Sequence, residues 1–253
     1  MTAIIIILLA VLGAALGSFL NVLIYRLPRK ESIIFPGSHC SECDKAIPFY
    51  LNIPIVSYIM LGGKCKYCQA KVHWHHLLVE IITPLILIGL FLQYGLLNLL
   101  FLKYAIMALF MIPIFFIDAF HQIIPHKLSI PLIPLGLLFA FLPGGDVGII
   151  DALISAGIIF VFLVFLAYAY RFARKVDGIG GGDIWLLTAI AGFFGLMSMP
   201  YVILFAALLG IIYFLIFVRD KSQGFAFGTF IAFAAVAWAL LGAAQFVINI
   251  PFL

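Results

Sequence analysis

Charged residues are scarce in this chain of 253 residues: Asp, Glu, Lys and Arg make up 9% of it, whereas hydrophobic residues make up 66%. A soluble domain carries roughly 25% charged residues, so the composition excludes an ordinary water-soluble core. Apolar runs suited to crossing about 30 Å of hydrocarbon recur along the chain. Because the bilayer core offers no partners for backbone polar groups, these runs predict an all-α polytopic membrane protein.

No basic residue precedes the first apolar run, and the positive residues follow it instead. This order is the reverse of that in a cleaved signal peptide, so we expect a retained first transmembrane helix at 1–25. A polar cytosolic loop domain at 26–76 and a membrane domain of about seven helices at 77–253 complete the predicted organisation. Eight apolar spans are predicted, at about 3–25, 77–97, 101–120, 128–143, 148–170, 184–198, 201–218 and 227–248.

Basic residues are almost absent from one side of this predicted topology. Alternate threading of the eight spans leaves Lys103 alone on one side and the other thirteen Lys and Arg residues opposite. The positive-inside rule places the thirteen in the cytosol, together with the loop 26–76 and the connections near 121–127, 171–183 and 219–226. Both termini are then outside. A net charge of +4 would suit nucleic acid, but the distribution of charge matters more than its total. We therefore expect a lipid bilayer as partner and no nucleic acid.

Cysteine is absent outside the loop 26–76, which holds Cys40, Cys43, Cys65 and Cys68, with twenty-one residues between the two pairs. Two C-x-x-C pairs are typical of a tetrahedral thiolate site for zinc. Two disulfides are the alternative, but stable disulfides are rare in the reducing cytosol. Four sulfurs close the coordination shell, so we predict a structural Zn²⁺ that stabilises a loop with little core of its own.

Most of the ten acidic residues have an ordinary explanation, and three do not: Glu80, Asp118 and Asp183. The threading brings Asp118 and Asp183 to the same depth at the cytosolic ends of two spans. Two carboxylates that share one proton can activate a water and protonate a carbonyl oxygen, as in an aspartyl protease. Intramembrane carboxylates are equally typical of an ion-coupled transporter, and the topology alone does not decide between the two.

Glycines lead directly into one of these carboxylates, at Gly180-Gly181-Gly182-Asp183. Glycine permits close approach of another backbone, so we predict that Gly180, Gly181 and Gly182 lie against an extended substrate. Glu80 begins the second span, where a structural role and a substrate contact are both open.

Several motifs together carry a family resemblance. Gly180–Asp183 matches the G-x-G-D motif of intramembrane aspartyl proteases, and the whole chain resembles the bacterial type IV prepilin peptidases. The other matching motifs, in chain order, are Gly17-Ser-Phe-Leu-Asn-Val-Leu-Ile-Tyr-Arg-Leu-Pro28, Asn52-Ile-Pro-Ile-Val-Ser-Tyr58, the two cysteine pairs, Leu78-Val-Glu80, Asp118 with Ile124-Pro125, and Phe225-Ala-Phe-Gly-Thr-Phe230.

This resemblance implies a bacterial inner-membrane hydrolase with Asp118 and Asp183 as its catalytic pair. It implies cleavage of the basic leader of prepilins or pseudopilins after a glycine at the cytosolic face, in type IV pilus or type II secretion systems. It also implies N-methylation of the new N-terminus by S-adenosylmethionine, for which the sequence contains no Gly-rich nucleotide-binding motif. The alternatives are an ion-coupled transporter with a zinc-ribbon domain and a non-catalytic assembly factor.

Overall fold

A computed structural model describes residues 2–96, 98–176, 178–218 and 225–242. This part of the chain is helical and contains isolated β-bridges but no strand, as the composition predicts. Two short 3₁₀ turns, Phe49–Leu51 and Leu196–Ser198, accompany the α-helices. The α-helices of the described residues are α1 (Thr2–Arg26), α2 (Val56–Met60), α3 (Trp74–Tyr94), α4 (Leu99–His121), α5 (His126–Phe141), α6 (Ile149–Arg174), α7 (Gly181–Phe194), α8 (Met199–Phe217) and α9 (Phe227–Leu240).

The helices other than α2 each fall on one of the predicted apolar spans. Five helical segments are long and apolar enough to cross a membrane, whereas α5, α7 and α9 are shorter. The polytopic character is therefore confirmed, and the number of eight spans stays a prediction. Most of the predicted connection 219–226 and the end of the last predicted span, 243–248, lie outside the described residues.

The chain packs as two compact units, Met1–Leu92 and Gln93–Leu253. In the first unit, α1 lies against α3 through two glycines spaced four residues apart. A Cβ atom on Gly13 would lie 2.5 Å from Pro84 Cα, and one on Gly17 would lie 2.9 Å from Glu80 Cα. Small residues at this spacing let two membrane helices approach closely, so α3 packs with α1 here. The predicted division into three domains stays a prediction.

We expect Gly13→Ala to destabilise this helix pair, because its Cβ meets the rigid ring and backbone of Pro84. Overpacking of this kind costs about 1–3 kcal/mol and lowers the midpoint of thermal unfolding in detergent. Gly157→Ala in α6 is the matched control, since nothing lies within 4 Å of its added Cβ. Equal or higher stability of Gly13→Ala than of Gly157→Ala contradicts this packing.

In the second unit, α7 is a central helix that packs against α5 and α6. Its residues from Leu186 to Phe194 are all buried. The helix ends where Gly195 takes a φ of 75°. The larger part of α7 is therefore enclosed by protein.

Lys103, the one basic residue on the predicted outer side, is also buried in the second unit, with 1% of its surface exposed. Its ammonium forms an ion pair with Asp146, which also accepts a hydrogen bond from the hydroxyl of Tyr104. A charge is tolerated in an apolar interior when it is paired and hydrogen-bonded. Lys103, the exception to the asymmetry of basic residues, is therefore paired with an acid inside the helix bundle.

Candidate active site and metal centre

Asp118 lies in the last turn of α4 and is 4% exposed. Its carboxylate oxygen Oδ2 accepts a hydrogen bond of 2.7 Å from the backbone N–H of Thr229 and another of 3.1 Å from the Thr229 hydroxyl. Thr229 is the third residue of α9, whose N-cap residue makes no side-chain capping bond. Asp118 therefore supplies, from another helix, the acceptor that the first turn of α9 lacks.

Asp183 occupies the third position of α7, directly after the glycines. The backbone N–H of Gly180, the N-cap residue, hydrogen-bonds the Asp183 carboxylate, an arrangement that satisfies a free donor of the first turn. Its Oδ1 atom is buried and makes no hydrogen bond within the described part of the chain. Both carboxylates thus face helix N-termini, Asp183 that of its own helix α7 and Asp118, from the last turn of α4, that of α9.

Ile124, in the connection between α4 and α5, lies beside both helix starts. A Cβ on Gly182 would lie 2.7 Å from Ile124 Cβ, and one on Gly228 would lie 3.0 Å from Asp118 Oδ2 and 2.5 Å from Ile124 Cδ1. Asp118 also acts electrostatically on Asp183. The two carboxylates that topology predicts at one depth are therefore neighbours.

Unusual backbone angles do not explain the glycines of this site, since Gly180, Gly181 and Gly182 do not have positive φ. A Cβ on Gly180 would lie 2.9 Å from Asp183 Oδ2. Gly182 packs against Ile124, whereas Gly181 faces open space. Two of the three glycines thus have an internal packing reason, and their contact with substrate stays a prediction.

The four predicted metal ligands converge in the first unit. The sulfur atoms of Cys40, Cys43, Cys65 and Cys68 all lie within 4.8 Å of one another, and those of Cys40 and Cys68 are 3.8 Å apart. A tetrahedral site with metal–sulfur bonds of about 2.3 Å separates its sulfurs by about 3.8 Å. All four cysteines are free rather than paired in disulfides, so the cluster has the spacing needed to hold a metal ion.

Both cysteine pairs adopt the same local fold. The backbone N–H of Cys40 donates to the carbonyl of Lys45 at 3.0 Å, and that of Cys65 donates to the carbonyl of Ala70 at 2.8 Å. An isolated antiparallel β-bridge closes each turn. The backbone hydrogen bonds of each turn therefore hold the two cysteines of that pair close together.

The pKa values of the two thiols in the second pair are shifted in opposite directions. Hydrogen bonds from the backbone N–H groups of Cys68 and Tyr67 lower the pKa of Cys65 to about 6. At Cys68 the backbone N–H of Ala70 lowers the pKa, but desolvation and the neighbouring thiols outweigh it and raise the pKa to about 12. Four sulfurs this close can all ionise only when a cation balances their charge.

Glu80 lies in α3, with 9% of its surface exposed. Its Oε2 atom accepts a hydrogen bond of 2.6 Å from the backbone N–H of Ile55, and its carboxylate is also hydrogen-bonded by the side chain of Ser18. These contacts tie the polar connection after α1 to helices α1 and α3. A contact between Glu80 and substrate stays a prediction.

Sequence reasoning assigned no role to Thr229, Gly228 or Ile124, although all three belong to the motifs quoted above. None of the three carries a charge, so the scarcity of intramembrane acids does not single them out. The available signal was positional: a Gly-Thr pair opens the last predicted span, at the same depth as the two aspartates.

Two family models match the chain in succession. The one described as Bacterial Peptidase A24 N-terminal domain matches residues 11–94, and the one described as Type IV leader peptidase family matches residues 105–215. The first match ends at residue 94 and the second begins at residue 105, close to the boundary between the two compact units at Leu92.

Curated proteins from several bacteria are similar over most of their length. The prepilin leader peptidase/N-methyltransferase of Neisseria gonorrhoeae is 35% identical over 246 residues, covering 87% of this chain and 85% of the relative. The protein of that name from Pectobacterium carotovorum is 33% identical, covering 90% of each. No solved structure matches the chain. With this identity sustained across both units, the chain belongs to the type IV leader peptidase family.

Proposed function

We propose that this protein is a membrane aspartyl endopeptidase that removes the basic leader of prepilins or pseudopilins after a glycine. It then N-methylates the new terminus. The observation that carries the proposal is the pair of neighbouring carboxylates, Asp118 and Asp183, at two helix starts in a chain of this family. Family membership favours this function over the transporter and the assembly factor.

The hydrogen bonds of the site suggest separate tasks for its two acids. Thr229 donates two hydrogen bonds to Oδ2 of Asp118, which leaves the other carboxylate oxygen to take a proton from water. Two adjacent carboxylates share one proton, which we assign to Asp183, whose Oδ1 lacks a partner among the described residues. Asp183 then donates this proton to the scissile carbonyl oxygen.

Cleavage proceeds in two balanced steps. The water oxygen attacks the carbonyl carbon while Asp118 accepts a water proton and Asp183 protonates the carbonyl oxygen, which yields a neutral gem-diol. Asp118 next donates its proton to the amide nitrogen, and Asp183 recovers one from a gem-diol hydroxyl as the C–N bond breaks. The products are the leader carboxyl group and a free N-terminal amine. S-adenosylmethionine supplies the methyl group that this amine receives.

We further propose that the four cysteines bind one structural Zn²⁺. The spacing of their sulfurs supports tetrahedral coordination, and a complete thiolate shell leaves no open position for chemistry. The metal would therefore fix the connection between α1 and α3 rather than take part in hydrolysis.

We place the active site and the cysteine loop on the cytosolic side of the bacterial inner membrane, with both termini outside. The support is the asymmetry of basic residues along the sequence, which the positive-inside rule interprets. An apolar pilin stem lying in the bilayer would then bring its leader junction to the depth of the aspartates, while the basic leader stays in the cytosol.

Mass spectrometry of a purified prepilin, before and after incubation with the enzyme and S-adenosylmethionine, tests this function. We expect loss of the leader after a glycine and the added mass of a methyl group on the mature chain. Purified enzyme that transports a solute into liposomes and never shortens a prepilin contradicts the proposal.

A further inference from the structure

Asn21 is a polar side chain in α1 that the peptidase chemistry does not use. It is 6% exposed, and its Nδ2 donates a hydrogen bond of 2.9 Å to the backbone carbonyl of His76. A carbonyl oxygen accepts only from the amide nitrogen, so this bond fixes the orientation of the amide. The Oδ1 atom that remains is buried and has no partner among the described residues. An unsatisfied buried acceptor is costly unless a ligand supplies the donor.

The packing register places Asn21 about one helical turn from Glu80 along the helix pair. Along the antiparallel pair, Gly17 lies against Glu80, and Asn21 lies against His76, one helical turn further along. Residues four apart share a helix face, so Asn21 follows Gly17 on α1, and Glu80 follows His76 on α3. One turn rises about 5.4 Å, so the side chains of Asn21 and Glu80 start about one turn apart along the helix pair.

The carboxylate of Glu80 is held in place by a strained turn. Ile55 has a φ of 65° and a ψ of −52°, and the N–H of Val56 donates to the carbonyl of Pro54 at 2.6 Å. This γ-turn is uncommon for any residue and unfavourable for a β-branched one. Its geometry directs the Ile55 N–H at Glu80 Oε2. The strained turn thus holds one oxygen of the Glu80 carboxylate in a fixed position.

We infer that Asn21 and Glu80 form a binding site for a primary amine, namely the N-terminal amine that leader cleavage frees. Acceptors are what this ligand requires: an ammonium group offers three donors and no acceptor. The inference rests on the proposed function and assigns to the first unit a step that the aspartates do not perform. In it, Glu80 accepts a proton from the ammonium, and the neutral nitrogen attacks the methyl carbon of the sulfonium donor. The C–S bond breaks, its electrons go to sulfur, and a protonated methylamine results.

Two variants test this site. Glu80→Gln keeps an oxygen for the Ile55 N–H but removes the charge. Asn21→Leu removes the free acceptor, together with the donor to the His76 carbonyl, at similar volume. We expect both variants to cleave prepilin at near wild-type rate and to lower the methylated fraction by at least about 10-fold. Thr83→Val is the matched control, because the hydroxyl of this buried threonine donates within its own helix to the Val79 carbonyl.

A binding measurement complements the assay. A synthetic peptide of the mature pilin N-terminus, with a free amine, should bind wild-type enzyme more tightly than its N-acetylated form, and both variants should lose that preference. Normal methylation by both variants overturns the inference, as does an intact amine preference combined with weaker binding of S-adenosylmethionine. Loss of cleavage by wild-type enzyme contradicts the proposed function instead, so the two failures are distinguishable.

Discussion

Asp118→Asn and Asp183→Asn are each expected to reduce prepilin cleavage by about 10²- to 10⁴-fold while the protein still inserts and folds. Asparagine keeps the shape of the side chain, and at position 118 it retains an oxygen for the two donors of Thr229. It can neither take a proton from water nor share one with its neighbour. The loss is measured as the rate of leader release in detergent at saturating prepilin.

Asp151→Asn is the matched control for this pair. Asp151 is the third residue of α6, as Asp183 is of α7, and its neighbour Ser155 donates to it within the same helix. A wild-type rate for this control, with equal thermal stability of all three variants, attributes the loss to chemistry. A slow Asp151→Asn would instead show that neutralising any helix-start acid of this protein impairs it.

Removal of two thiolates is expected to have the second large effect. Purified wild-type protein should contain about one zinc ion per chain, and the double variant Cys40→Ser/Cys43→Ser should contain almost none. Because binding to a structural zinc site contributes folding free energy directly, the loop 26–76 should also become sensitive to trypsin. Metal analysis and limited proteolysis measure these two consequences.

Ser41→Ala provides the control for the cysteine variant, since it changes a residue between two ligands without removing a sulfur. It should retain both zinc and protease resistance. Wild-type protein that carries disulfides and no metal contradicts the zinc assignment. A chelator that strips zinc yet leaves the loop resistant to trypsin would contradict the structural role.

Topology explains why the sequence could predict the pairing of Asp118 and Asp183. Both are charges in apolar surroundings, and alternating spans fix the depth of each without knowledge of side-chain contacts. The cysteine cluster was predictable for a similar reason, because a two-residue spacing within each pair acts locally. The position of helices α5, α7 and α9 followed from apolar runs in the same way.

The sequence could not predict which backbone atoms meet across the bundle. Thr229 caps its helix with an acid from α4, and this depends on packing between distant segments. Gly182 and Gly228 leave room for the side chain of Ile124. No periodic pattern in the sequence predicts this contact. The strained turn at Ile55 and the unpaired oxygen of Asn21 likewise appear only once α1 and α3 are packed together.

The most direct test of the central claim, that Asp118 and Asp183 act as one unit, is the cleavage rate of the double variant Asp118→Asn/Asp183→Asn. It should be measured beside both single variants, at high enzyme concentration and over long incubations. Residues that act as a unit are strongly non-additive, so we predict a double variant no slower than the slower single variant. Full processing of prepilin by either single variant would contradict the account.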